Sequence, residues 1–399
     1  MLVDSWKIKI PISSAAIIQD DWKLIRYHSG ETELFHLKED EGESNDLAAK
    51  QPDKRDKLEA TLQQWVAQTT KTTAAAQKEN RRVSEGNRPA ATKPSDPSPT
   101  PPATKRKQPA KNAPNIVVIF TDDLGWKDVG YQGSSFYETP HIDKLAKNAA
   151  VFRNFYAACN LCSPTRAALM TGKYPQRVGF TNFLNSNLKT GPNSAASSLP
   201  ADEVTIGEAF QQAGYRTGYI GKWHLGPRPH AMPGQQGFDW HMASCRHGFP
   251  GSYFFPYKRG TKFTEGDVPD LEDGKEGDYL TDVLTTKAIG FIEETVTQGE
   301  RPFFLTLGHY AVHSPIQAPQ SLVEKYEKKR QGVFGDQPLK TVAEINESLT
   351  RAEQSDPTYA GMVESLDANV GRLIAAVGGR LSQVRRSARR LRPSSLPRL

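Results

Sequence analysis

The chain has 399 residues, 51 Lys/Arg against 45 Asp/Glu, and 37% hydrophobic residues, enough apolar material for one large domain or a few ordinary ones. Its longest apolar runs, such as residues 116–120, are too short to span a bilayer, and its three cysteines (Cys159, Cys162, Cys245) make no disulfide framework. The net charge of +6 does not point to specific nucleic-acid binding, because residues 71–113 carry ten Lys/Arg against three acids and residues 379–399 carry seven Arg and no acid, which leaves the rest of the chain net acidic.

Residues 1–14 contain lysines but no sustained apolar stretch, so they show no signal peptide, and the compartment stays unknown at this level. Residues 15–68 read as a small terminal unit. Residues 22–28 alternate apolar and polar as a half-buried strand does, Ser29-Gly30 makes a turn, and residues 33–37 return as a second strand. Pro52 then opens a helix with Leu58, Leu62 and Trp65 on one face. Residues 69–113 are rich in Lys, Ala, Thr and Pro and cannot bury enough apolar surface to offset their ordering entropy; they are expected to be a disordered basic linker.

From Asn115 the pattern changes. Residues 116–120 (Ile-Val-Val-Ile-Phe) read as a strand buried on both faces. Helices are expected at 139–150, 164–172, 203–213 and 279–295, and strands at 215–220 and 303–307. Residues 357–377 form the clearest amphipathic helix, with Met362, Val363, Leu366, Val370, Leu373, Ile374 and Val377 in the helical period. This alternation predicts an α/β domain over 114–378 with a mostly parallel sheet. Residues 379–399 are Arg/Ser-rich, lack a globular pattern and are expected to be a disordered tail.

The chemistry-bearing residues cluster just after the predicted strands, where open α/β sheets bind ligands. Asp122 and Asp123 follow the first strand, and adjacent carboxylates there suit either a hard divalent cation or a turn. Cys162-Ser-Pro-Thr-Arg166 follows as a second cluster. Ser163 can cap a helix that has Pro164 in its first position, which sets Cys162 at a helix amino terminus with Arg166 one turn in. The Cys159/Cys162 spacing also admits a redox or zinc reading, and a buried thiol is the bland alternative. Lys222 and His224 lie two apart past the strand at 215–220. His309 and His313 follow the strand at 303–307. Taken singly, each of these residues fits a structural role as well as a catalytic one.

Together they carry a resemblance. Cys162-Ser-Pro-Thr-Arg166 followed by Ala-Ala-Leu-Met-Thr-Gly resembles the Cys-x-Pro-x-Arg signature of sulfatases. Residues 214–226 (Gly-Tyr-Arg-Thr-Gly-Tyr-Ile-Gly-Lys-Trp-His-Leu-Gly) resemble the second signature of that family, and residues 115–125 and 139–143 resemble its opening strand and following helix. The resemblance covers residues 114 to about 378 and implies the alkaline-phosphatase-like α/β fold. It implies hydrolysis of sulfate esters, with Asp122, Asp123 and the Cys162 side chain as calcium ligands. Cys162 would be oxidised by a formylglycine-generating or other maturing enzyme. One hydroxyl of the aldehyde hydrate would attack sulfur, and the second would later let sulfate leave. Arg166 would hold the hydrate, Lys222 and His224 would hold sulfate and the leaving group, and His313 rather than His309 would stand near the departing oxygen. The substrate would be a sulfated small molecule or sulfated carbohydrate, with specificity in loops such as 227–275. A phosphodiesterase or phosphonate monoester hydrolase of the same superfamily is the alternative, and an inactive sulfatase fragment is another.

The resemblance also departs from the family. The family's downstream Asp-Asn pair, which completes the calcium site, has no counterpart after residue 378, so the ligand set is expected to be short of the six to eight oxygens calcium takes. Residues 20–27 and 33–47 resemble a sulfatase carboxyl-terminal end placed ahead of the catalytic segment. The expected organisation is therefore the tail of one sulfatase, a linker, and the amino-terminal catalytic part of another.

Overall fold

The structure, a computed structural model, describes residues 15–27, 30–40, 43, 45–65, 67, 106–110, 112–153, 155–184, 198–226, 231–258, 267–299, 301–343 and 349–390. It divides into two units, each treated by itself. Most of the expected linker at 69–113, and part of the loop 227–275, lie outside the described residues.

The small unit has three strands, one more than expected. β1 (Ala15–Gln19) pairs antiparallel with β2 (Trp22–Arg26), which pairs antiparallel with β3 (Thr32–His36). The helix α1 (residues 52–65) supplies Leu58 and Leu62 to a core with Leu24, Leu34 and Ala48. Trp65, expected on the same face, is only half-buried. A third strand and a covering helix are what a hairpin needs to persist in water.

The larger unit holds a four-stranded parallel sheet in the order β4 (Ile116–Phe120), β7 (Phe303–Gly308), β5 (Arg216–Gly221), β6 (Trp240–Met242). β5 and β7 are almost wholly buried, as parallel strands covered on both faces must be. Among the described residues β4 is an edge strand, and all five of its apolar residues are only half-buried.

The helices are α2 (Pro140–Lys147), α3 (Cys162–Thr171), α4 (Ile206–Gln212), α5 (Leu280–Gln298), α6 (Gln320–Phe334) and α7 (Pro357–Arg390); a short hairpin, β8 (Thr341–Ala343) and β9 (Leu349–Arg351), precedes α7. α5 lies on β5 and β7 and presents Leu280, Leu284, Ala288, Phe291 and Ile292 to the core. α7 packs on α5 and α6 through Met362, Val363, Leu366 and Leu373, with Ile374 left partly exposed.

Two boundaries differ from the sequence reading. The helix expected to end at 377 continues to Arg390, through most of the segment read as a disordered tail. The folded unit already includes residues 106–110: the Lys107 N–H donates to the Gln212 carbonyl at 2.9 Å, and Arg106 pairs with Asp239 at 2.6 Å. α2 is capped from a distance, because Thr139 makes no cap bond and the Asp367 carboxylate of α7 accepts from the N–H groups of His141 and Ile142 at 3.1 and 2.7 Å.

Candidate active site

The sheet register fixes where the site forms. Phe120 pairs with Gly308 across β4 and β7, and Gly221 pairs with Gly308 across β5 and β7, so the three strands end in one row. Asp122, Lys222 and His309 therefore leave the sheet at the same carboxyl edge. The two glycines make the row possible. A Cβ on Gly221, which has φ of +92°, would fall 2.0 Å from the Gly308 carbonyl oxygen.

Asp122 is 4% exposed and is fastened to the segment after β7: its N–H donates to Ala311 O at 2.9 Å, and its carbonyl accepts from the Val312 N–H at 2.6 Å. Its carboxylate faces two cations. Lys222 Nζ donates to Oδ2, and Arg166 donates to Oδ1 at 3.2 Å. Burial of Asp122 opposes ionisation, but Lys222 and Arg166 together outweigh it and hold its carboxyl below the usual carboxylate range. Burial likewise disfavours the charged Arg166, yet Asp122 pulls its pKa up. One carboxylate against two fully buried cations leaves this cluster with an excess positive charge, which favours an anionic ligand.

Arg166 reaches the cluster from α3. It also donates to the Lys222 carbonyl at 2.6 Å, and its guanidinium lies over the Phe120 ring at 4.9 Å. Tyr219, from β5, donates to the same Lys222 carbonyl at 2.6 Å and braces that backbone.

α3 begins two residues earlier than the sequence suggests. Leu161 is its N-cap, Cys162 is its first residue, and Pro164 stands in the first turn, where its missing N–H costs no intrahelical bond. Ser163 is not the cap: it is fully buried, and its hydroxyl accepts from the Leu184 N–H at 3.1 Å.

Cys162 Sγ lies 3.2 Å from His224 Nδ1. His224 is 3% exposed, has φ of +56°, and donates its N–H to the Cys245 carbonyl at 3.1 Å. Burial, then Lys222 and Arg166, push its pKa well below the ordinary histidine value, so the ring is neutral. Gly248 lies against this ring: a Cβ there would come within 2.6 Å of His224 Cε1. None of the three cysteines is in a disulfide, and Cys159 Sγ turns to Asn160 Oδ1 at 3.5 Å, so the two thiols of Cys-x-x-Cys have different partners.

Asp123, with φ of +57°, projects outward, and its Oδ2 lies 3.6 Å from His313 Nε2. His313 stacks on Phe249 with centroids 5.5 Å apart. His309 goes the other way: it is 1% exposed, neither ring nitrogen has a partner among the described residues, and burial lowers its pKa to about 4.

Among the described residues, the ligand atoms of Asp122, Asp123 and His313 lie within 4.8 Å of one another. Two adjacent carboxylates suit a hard cation, and each Asp122 carboxylate oxygen has a second lone pair beyond its bond to Lys222 or Arg166. Asp122, Asp123 and His313 are the described residues that could hold such a cation. Cys162, read as a third ligand, stands with His224 and is not in this group.

The structure thus brings Asp122, Arg166, Lys222, His224 and Cys162 together, with Asp123 and His313 at the outer margin. Phe249, Gly248 and Gly308 went unnoticed in the sequence, where no spacing marks them.

A sulfatase family model matches residues 114–383. The chain belongs to the sulfatase family. Among curated sulfatases it is similar to N-acetylgalactosamine-6-sulfatase of Mus musculus, 36% identical over 255 residues, covering 60% of this chain and 46% of that one. Arylsulfatase A of Homo sapiens is 33% identical over 259 residues, covering 59% and 48%. This sulfatase chain therefore spans about half the length of the curated relatives it matches. Among solved structures, Ps i-CgsB aligns with a TM-score of 0.51 at 33% identity, covering 67% of this chain and 55% of that one, and it has also been solved in complex with k-i-k-neocarrahexaose. The mixed α/β architecture is that of the alkaline-phosphatase-like sulfatases. The matched stretch leaves residues 15–68 outside it.

Proposed function

We propose that this sulfatase hydrolyses sulfate esters of carbohydrates, with the side chain at position 162 as the nucleophile after oxidation of Cys162 to formylglycine by a maturing enzyme. One observation carries the reading: the thiol of Cys162, first residue of α3, lies against the neutral ring of His224 beside a buried cluster of excess positive charge. The similarity to N-acetylgalactosamine-6-sulfatase and to a structure that binds a carrageenan-type hexasaccharide supports a sugar sulfate as substrate. Nothing in these relatives favours the phosphodiesterase alternative.

The oxidised residue supplies a hydrated aldehyde, whose hydroxyl is a competent nucleophile and whose second hydroxyl allows sulfate to be expelled. The remaining steps belong to the chain's own groups. Lys222 and Arg166 oppose the negative charge that builds on the sulfuryl oxygens, and being buried and already oriented, they need no rearrangement to do so. His224, neutral and in contact with residue 162, accepts a proton there. His313, less buried than His224, is read as the group that protonates the departing alcohol oxygen. Asp122 and Asp123 would hold a calcium ion, which when bound adds further positive charge beside the sulfate.

The test is mass spectrometry of the peptide containing Cys162, from protein made alongside a sulfatase-maturing enzyme, together with turnover of an aryl sulfate and an aryl phosphate diester. The expected result is an aldehyde in place of the thiol, faster turnover of the sulfate, and none in Cys162→Ala. An untouched thiol in that host, or full activity of Cys162→Ala, overturns the reading.

A further inference from the structure

The loop after β6 touches both histidines of the site. The Cys245 carbonyl accepts from the His224 N–H at 3.1 Å, Gly248 packs against the His224 ring, and the next residue, Phe249, stacks on the His313 ring. Consecutive Cα atoms are about 3.8 Å apart. One dipeptide therefore meets a ring on the Cys162 side of the site and a ring on the Asp123 side.

The His313 backbone is pinned at both ends. Its N–H donates to the Tyr310 carbonyl at 3.0 Å, and its carbonyl accepts from the hydroxyl of the fully buried Tyr253 at 2.8 Å. What remains to be fixed is the rotation of the side chain. Nδ1 lies 2.8 Å from the Ser314 carbonyl, which can only accept, so Nδ1 carries a proton. Nε2 is then the nitrogen presented to the site, 3.6 Å from Asp123 Oδ2. That contact is too long for a hydrogen bond, and the Asp123 side chain is mostly exposed, so it holds the ring only weakly. Phe249 supplies the face that the ring rests on. The centroids are 5.5 Å apart and the planes lie within 8° of each other, the offset-stacked arrangement that aromatic pairs favour.

We propose that Phe249 is a positioning residue for sulfate-ester hydrolysis: its ring holds the His313 imidazole in the pose from which Nε2 meets the departing oxygen. The inference rests on the sulfatase reading above, in which His313 protonates that oxygen, and adds the residue that aims it. A general acid works only within hydrogen-bond reach of its oxygen, and a small misplacement costs much of its effect.

The experiment uses the matured full chain and three variants. Phe249→Leu keeps apolar bulk and loses the flat ring, Phe249→Tyr keeps the ring, and His313→Gln removes the imidazole. For each, kcat is measured on 4-nitrophenyl sulfate, whose leaving group departs readily as an anion, and on 4-methoxyphenyl sulfate, whose more basic leaving group depends on a proton. The ratio of the two rates in one preparation does not change with the fraction folded. Phe249→Leu is expected to lower the ratio of 4-methoxyphenyl to 4-nitrophenyl turnover about three- to tenfold, the range of one aromatic pair. His313→Gln should lower it at least as much, and Phe249→Tyr should keep the wild-type ratio. The carbon-bound ring-proton resonance of His313, identified by its loss in His313→Gln, should move in Phe249→Leu and hold in Phe249→Tyr. If His313→Gln lowers the ratio while Phe249→Leu keeps it, if Phe249→Tyr lowers it as Phe249→Leu does, or if the resonance stays in place in Phe249→Leu, the positioning role is overturned and the sulfatase reading stands. An unchanged ratio in His313→Gln, or a wild-type chain that turns over neither ester, overturns that reading and this inference with it.

Discussion

Lys222 and Asp122 form an ion pair in which neither side chain is more than 5% exposed, and the lysine comes directly from the end of β5. Removing one member of such a pair leaves a buried charge without its main partner. Lys222→Ala is therefore expected to lower stability by about 3 kcal/mol, the low end for broken buried pairs because Arg166 remains on Asp122. Urea denaturation checks this, and an unchanged midpoint contradicts it.

Gly221 must stay glycine. Its φ of +92° and the nearby Gly308 carbonyl leave no space for a Cβ. Gly221→Ala should destabilise by more than about 1 kcal/mol and displace Lys222, the next residue. Turnover should then fall more than the loss of folded protein accounts for. Activity that simply tracks the folded fraction speaks against this coupling.

Acid should weaken the fold through His309. Its pKa is about 4 when folded and near the ordinary 6.5 when unfolded. Below 6.5 the unfolded chain binds the extra proton, so this stability is full above about 6.5 and is lost as pH falls toward 4. The size is about 3 kcal/mol. His309→Leu should flatten that part of the stability profile between pH 4 and 6.5. A variant profile parallel to that of the wild type removes His309 as the cause.

Asp123 tests the cation. Its side chain is 60% exposed and its backbone is left-handed, a conformation asparagine also accepts. Asp123→Asn should fold normally yet raise the calcium needed for half-maximal turnover by at least about tenfold, or ~1.4 kcal/mol. Chelation should silence the matured wild type, and added calcium should restore it. Turnover indifferent to both chelator and calcium contradicts the metal assignment.

Much of this was legible in the sequence where a residue's role follows from its neighbours along the chain. The strands β4 and β7 announce themselves as apolar runs, β5 lies inside the 214–226 signature, and Asp122, Lys222 and His224 closely follow β4 and β5. α6 escaped notice because only Tyr326 among its residues is buried, so its charged sequence carries no apolar stripe. β6, with three residues, is too short to show a period. The meeting of Cys162 with His224 spans 62 positions, and no local pattern encodes it. Ser163 looked like a cap, but tertiary packing drew its hydroxyl to the Leu184 N–H.

Among the described residues β4 has a hydrogen-bonded neighbour on one side only, and its Ile-Val-Val-Ile-Phe residues are half-uncovered. Such a margin can recruit any extended apolar peptide, including the same stretch of another molecule. Crowded preparations should therefore clump, and a lysine placed at Val117 would act as a guard against it. The strand that delivers Asp122 to the chemistry thus also offers a place for the protein to stick to itself.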